Sequence, residues 1–287
     1  MACTGAGAPT AQQPDPHGTP IREGWPGGSP ADERPSGWRV LVFASRDQLA
    51  EDVARILLRR QLSQPRRPLG LATGQTMAPI YAALAEGVQR LPGPQRQKLR
   101  RDWLSFNLDE YLGLGAGDQP SFRATMNRHL TMPLGLDPDR VLVPDGQAAD
   151  PQREAERYAA TLAEAGGLGL QLLGLGLNGH VGFNEPPCGP EAPCRCVRLS
   201  PSTRNANASA FGGEATAVPE QAITLGLREI MAASEILLVV TGANKAAILQ
   251  ELLRQPATPQ LPASWLKGHP ALTLMVDAAA APGALVD

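Results

Sequence analysis

The sequence predicts an α/β fold: a doubly wound, mostly parallel Rossmann-like sheet with helices on both faces. Three observations carry this. Runs such as LQLLGLG (170–176) and EILLVVTG (235–242) are aliphatic at successive positions, the pattern of strands buried on both faces. Segment 47–62 instead repeats its apolar residues at helical spacing, with Leu49, Val53, Ile56 and Leu57 on one face. The two kinds of segment alternate along the chain, and strands separated by helices make a parallel sheet covered on both sides.

Residues 1 to 38 contain seven prolines and seven glycines and hardly any aliphatic side chains. Such a stretch buries too little surface to offset the entropy of ordering, so a disordered tail is expected there. Residues 39 to 287 are then a single domain. WRVLVFAS (38–45) and the helix over 47–62 form its first βα unit. PLGLATG (68–74) is the next strand, leading into a helix over 76–89. WLSFNLDEY (103–111) reads as a strand, followed by the helix SFRATMNRHL (121–130). A short VLVPDG (141–146) precedes a helix over 151–165 and the strand LQLLGLG. AITLGL (222–227), then EILLVVTG with the helix in NKAAILQELLR (244–254), and finally ALTLMVD (271–277) complete the alternation.

A chain of 287 residues, 43% hydrophobic, can bury a full core. Its 26 basic and 28 acidic residues give a net charge of -2, which offers no field for gathering nucleic acid or anionic lipid. No nucleic-acid partner and no membrane partner is expected. No run approaches the roughly 20 apolar residues of a transmembrane helix, and the N-terminus lacks the basic start and apolar stretch of a secretory signal. The cytoplasm is the expected location. The four cysteines are read as reduced thiols, since a chain this long needs no disulfide staples.

In open α/β sheets ligands bind beyond the carboxyl ends of the strands, so chemistry is sought there first. After PLGLA comes Thr73-Gly74-Gln75-Thr76, a polar turn at a helix start, where free amides and the helix dipole favour an anion such as phosphate; the plainer reading is a helix cap. TGANKAA (241–247) has the same layout, with Lys245 placed to reach an oxyanion or, more plainly, to sit in solvent. FNLDEY puts Asp109 and Glu110 at a strand end, either as a carboxylate aimed into the crevice or as a cap. Asn178, His180 and Glu185 lie in LGLGLNGHVGFNEP (173–186). An imidazole oriented by a carboxylate holds a general acid or base near neutral pH, and a satisfied core histidine is the alternative. Arg195, Arg198 and Arg204 fall in a loop-like region where an arginine fork would suit phosphate.

In the order TGQT, FNLDEY, SFRATMNRHL, GLGLNGHVGFNEP, STRNAN, TGANKA and HP, across roughly 39–277, these motifs resemble the glucosamine-6-phosphate deaminase family, aldose-ketose isomerases that also release ammonia. NGHxxFNEP after a Gly-rich strand is the most specific of them. The resemblance implies that Asp109 moves a proton between sugar carbons and that His180 opens the pyranose ring. Glu185 then supports His180, favouring its protonated form by proximity, while Asn178 orients rather than ionises. The resemblance assigns the phosphate of an amino-sugar substrate to Thr73, Gly74, Gln75 and Thr76, with Arg204 and Lys245. It implies no cofactor and no metal, and a homo-oligomer is compatible with it.

Departures from the family pattern bear on regulation and fit. PPCGPEAPCRCVRL replaces a serine-rich turn, but Cys188, Cys194 and Cys196 lack a paired C-x-x-C and a fourth ligand, so they read as thiols rather than a zinc site. Arg195 falls near a position used for allosteric activation by N-acetylglucosamine 6-phosphate in some relatives. The chain ends soon after Asp277 without their longer tail, so that regulation is not expected. Gln75 stands where a second glycine or serine is usual, and its bulk is expected to narrow the sugar pocket or to alter specificity. A 6-phosphogluconolactonase would share the fold without needing the NLDEY base or the FNEP carboxylate. A sugar-phosphate-sensing domain of a transcription regulator would bring a helix-turn-helix, which residues 1 to 38 are too rich in proline and glycine to form; a non-catalytic sensor is the remaining alternative.

Overall fold

A computed structural model describes residues 22–23, 38–63 and 67–281. Most of the expected tail lies outside the described residues. Arg22–Glu23 (β1) is described as a two-residue strand pairing antiparallel with Arg39–Phe43 (β2). The remaining strands are Leu69–Leu71 (β3), Ser105–Asn107 (β4), Asp109–Tyr111 (β5), Val141–Leu142 (β6), Leu170–Gly174 (β7), Arg195–Arg198 (β8), Gln221–Thr224 (β9), Ile236–Val240 (β10) and Leu272–Asp277 (β11). The helices are Arg46–Ser63 (α1), Met77–Gln89 (α2), Gly93–Asp102 (α3), Phe122–Met126 (α4), Met132–Leu134 (α5), Pro151–Glu164 (α6), Pro201–Asn207 (α7), Leu227–Met231 (α8) and Ala246–Arg254 (α9).

The main sheet runs β1-β2-β11-β10-β7-β3-β4-β6 and is parallel apart from the β1 edge. Its central strands are aliphatic and buried along their length, β10 at every position, because helices cover both faces. From β3 the chain proceeds outward to β4 and β6, whereas from β7 it proceeds the other way to β10 and β11. The order therefore reverses between β3 and β7. A crevice opens at such a point, beyond the carboxyl ends of the two strands.

Several expected elements take a different form. WLSFNLDEY is two strands, with β4 in the main sheet and β5 in a separate antiparallel sheet of order β5-β9-β8. Leu108 is the crossing: its amide donates to Leu71 O at 2.8 Å and its carbonyl accepts from Leu225 N at 2.7 Å. AITLGL contributes β9 to this small sheet rather than a parallel strand. The region 195–207, expected to be loop-like, is β8 followed by α7. α3 has no counterpart in the periodicity because Leu99 is its one fully buried side chain. The helix expected over 121–130 widens at Asn127–Thr131 and runs on into α5.

A second, smaller hydrophobic cluster supports the small sheet. Tyr111, Phe183, Leu199, Val218 and Ala222 form it, with Phe122 and Phe211 packed alongside. Tyr111 touches Phe122, Phe183 and Phe211 at ring-centroid distances of 4.7 to 5.4 Å.

Candidate active site

Two helix starts meet at the switch point. After β3, Gly74 takes φ 124°, a conformation side chains rarely adopt, and its carbonyl accepts from Met77 N and Ala78 N as α2 begins. The amides of Gly74, Gln75 and Thr76 donate to no acceptor among the described residues. The loop after β10 is built alike. Gly242 N donates to both carboxylate oxygens of Asp277, at 3.0 and 3.1 Å, and Lys245 occupies the N-cap of α9. Thr76 Oγ1 and Thr241 Oγ1 lie 3.4 Å apart, so the two loops touch. Lys245 is half-buried and has no ion-pair partner among the described residues, and burial lowers its pKa. Unused amides, two helix N-termini and an ammonium with no ion-pair partner among the described residues are groups whose charge and dipoles favour an anion.

The loop after β7 carries the imidazole. Gly176 is demanded by close approach, since a Cβ there would fall 2.2 Å from the His180 ring. Asn178 Oδ1 faces His180 Nδ1 at 2.5 Å, and Asn178 Nδ2 donates to Glu185 Oε1 at 3.4 Å. This amide orientation is the one that satisfies both neighbours, because a carboxylate only accepts. It fixes the proton on Nδ1 and leaves Nε2 as the acceptor. Glu185 is held in turn by Ser200 N at 2.8 Å, Ser200 Oγ at 2.7 Å and Thr203 Oγ1. Burial pushes the Glu185 carboxyl up, but these donors outweigh it and hold the group below its usual range.

Glu185 does favour the protonated imidazole, but it is not the largest influence on the ring. Burial drives the imidazole down to about 4, overriding the opposing pull of Glu185, and Lys245 pushes the same way as burial. The ring is therefore neutral near pH 7, and it reaches Glu185 through Asn178 rather than directly.

Asp109 opens β5, directly after the Leu108 crossing. It is 6% exposed, and no hydrogen bond reaches its carboxylate among the described residues. Burial raises its pKa well above the ordinary aspartate value, and the neighbouring Glu110 charge adds to the rise. A Cβ at Gly182 would sit 3.5 Å from Asp109 Oδ2 and 3.0 Å from Thr224 Oγ1. The turn two residues beyond His180 thus packs near the Asp109 carboxylate, although the two segments are far apart in sequence. Glu110 points elsewhere, accepting from the amides of Tyr111, Phe122 and Arg123 at 2.8 to 2.9 Å.

Other expected residues take different places. Arg204 is not joined to the 73–76 turn: its guanidinium donates to Val218 O at 3.0 Å and Thr216 O at 3.2 Å, with Glu220 3.9 Å away. Arg195 donates to Asn184 Oδ1 and Pro193 O and lies 3.5 Å from Cys188 Sγ. Ser200, Thr203 and Asp277 hold the site without having been anticipated. Their partners are fifteen to thirty-five residues distant, beyond the reach of local pattern.

The family model described as glucosamine-6-phosphate isomerases/6-phosphogluconolactonase matches residues 44–274. A glucosamine-6-phosphate deaminase of Geobacillus sp. (strain WCH70) is 38% identical over 83% of this chain and 93% of its own length. One from Rhodopirellula baltica is 40% identical over 84% and 94%. A solved structure described as a monomeric glucosamine-6-phosphate deaminase superposes with a TM-score of 0.79 at 33% identity, covering 84% of this chain and 98% of that one. The 6-phosphogluconolactonase of Trypanosoma brucei, at 22% identity and a TM-score of 0.65, shares the fold. The chain belongs to the family of glucosamine-6-phosphate isomerases and 6-phosphogluconolactonases.

Proposed function

We propose that this chain is a glucosamine-6-phosphate deaminase, converting glucosamine 6-phosphate and water to fructose 6-phosphate and ammonia. What supports the reading is a buried carboxylate at Asp109 without a hydrogen bond among the described residues, beside the Gly182 turn that follows His180, whose tautomer Asn178 fixes. His180 Nε2 takes the proton of the C1 hydroxyl and passes it to the ring oxygen, opening the pyranose to the aldehyde. A neutral ring suits this role, since it must first accept. Ionised Asp109 then removes the C2 proton while the substrate's ammonium gives one to O1, forming a cis-enolamine, and Asp109 returns its proton to C1, leaving an iminium at C2. Water adds there and ammonia departs, which makes the overall reaction hydrolytic. A carboxyl raised toward the working pH both accepts and returns a proton readily.

The phosphate rests on the amides of Gly74, Gln75 and Thr76 and on Lys245, which anchors an otherwise flexible open-chain sugar. In this reading Arg204 joins the phosphate by releasing the Val218 and Thr216 carbonyls. A lactonase reading leaves Asp109 without a task. The experiment is direct: purified protein with glucosamine 6-phosphate yields ammonia and fructose 6-phosphate, galactosamine 6-phosphate serves as the comparison, and Asp109→Asn abolishes turnover. Full activity in that variant would overturn the assigned base.

A further inference from the structure

We propose that Thr224 is a positioning residue that holds the turn after His180 in register with Asp109, so that base and imidazole act on one sugar. The proposal deepens the deaminase reading and rests on it for its substrate.

Asp109 and His180 ride on separate elements, β5 and the loop after β7, and β9 supplies the connection between them. Thr224 ends β9 directly opposite Asp109 in the antiparallel pair, so the two side chains leave the same face of the small sheet. Both meet the same turn. A Cβ at Gly182 would lie 3.0 Å from Thr224 Oγ1 and 3.5 Å from Asp109 Oδ2.

Thr224 is fully buried, and its hydroxyl is used twice. Oγ1 accepts from Phe183 N at 3.2 Å and donates to Leu225 O at 3.1 Å. A hydroxyl has one proton to give, and here a carbonyl takes it. Thr224 therefore fastens the turn without donating to Asp109, whose carboxylate is left able to accept a proton. Asn184, also fully buried, ties the same turn to β9 from its other end, with Nδ2 donating to Leu225 O at 2.9 Å and to Val181 O at 3.0 Å. Leu225 N donates in turn to the carbonyl of Leu108, one residue before Asp109. The turn, β9 and the start of β5 are thus one hydrogen-bonded unit with Thr224 at its centre.

The test uses Thr224→Val, which keeps the branched shape but leaves Phe183 N without its acceptor, and Thr224→Ser, which keeps the hydroxyl. Amide exchange at Phe183 is expected to quicken roughly tenfold in Thr224→Val, with β10 unchanged, and to return toward the wild-type rate in Thr224→Ser. kcat for glucosamine 6-phosphate should fall roughly ten- to hundredfold in Thr224→Val, with KM changed by no more than about twofold, and Thr224→Ser should recover most of the loss. With substrate deuterated at C2, the isotope effect on kcat should be larger in Thr224→Val than in the wild type, because a misplaced Asp109 slows removal of the C2 proton more than the other steps. A variant that was only less well folded would lose kcat while keeping the wild-type isotope effect. That result would overturn the proposal, and so would unchanged exchange at Phe183. Exchange is read without substrate, so a wild-type protein that leaves glucosamine 6-phosphate intact, while Thr224→Val still loosens Phe183, would sink the deaminase reading alone.

Discussion

At the residue scale, the cost of the site is concentrated in Asp109. A carboxyl whose folded pKa lies above its unfolded value binds its proton more tightly in the native state. Stability is then lost as pH rises from the unfolded pKa through the folded one. Asp109→Asn removes that slope. We expect the variant to be inactive yet more stable at pH 7 by about 1–2 kcal/mol, the scale of one relieved buried polar group. Urea titrations at pH 5 and pH 7 check this, with the gain larger at pH 7; a less stable variant would mean that unseen donors support the carboxylate. The local arrangement beside it was legible in the sequence. Asn178, His180 and Glu185 are near neighbours in the chain, so their relation is local. What the sequence does not carry is the balance of forces on His180. Proximity of an acid is visible in a string of letters, whereas burial, which decides the protonation state here, is a property of the folded crevice.

Elements show where local pattern runs out. Alternation and aliphatic content identified β2, β7, β10 and β11, but they do not say which sheet a strand joins. WLSFNLDEY reads as one strand and is two, because Leu108 passes its hydrogen bonds to Leu71 on one side and Leu225 on the other. The departure matters, since this crossing delivers Asp109 to the crevice. Glu110 secures it by tying β5 to the start of α4, with Oε1 accepting from Tyr111 N and Phe122 N and Oε2 from Arg123 N. In Glu110→Gln an amide nitrogen must face at least one of these N–H groups. We expect a loss of roughly 2–3 kcal/mol, measured by chemical denaturation. The same change removes a negative charge beside Asp109, which lowers that group's pKa. The acid limb of the kcat/KM profile should therefore move to lower pH, an effect that a purely structural defect would not produce.

Across the whole molecule, the crevice follows the seam between two hydrophobic clusters of unequal size. Leu108, Val181, Ile223 and Leu225 belong to the large one, while Tyr111, Phe183 and Ala222, from the same strands and loop, belong to the small one. Asp109 and the His180 loop sit where they meet. The small cluster also carries α7, whose Ser200 cap and Thr203 hold Glu185. With few buried side chains of its own, it should open at a lower free energy than the parallel sheet, taking the site with it. Phe211 tests this from outside the crevice, because its ring meets Tyr111 edge-on at 5.4 Å. Truncation in Phe211→Ala should cost about 2 kcal/mol, mostly from the small cluster. In a urea series we expect activity to vanish before the far-UV circular dichroism signal of the main sheet, with the gap between the two midpoints wider in Phe211→Ala than in the wild type. Coincident transitions in both proteins would instead mean that the two clusters unfold as one cooperative unit, and that the seam adds no local weakness to the site.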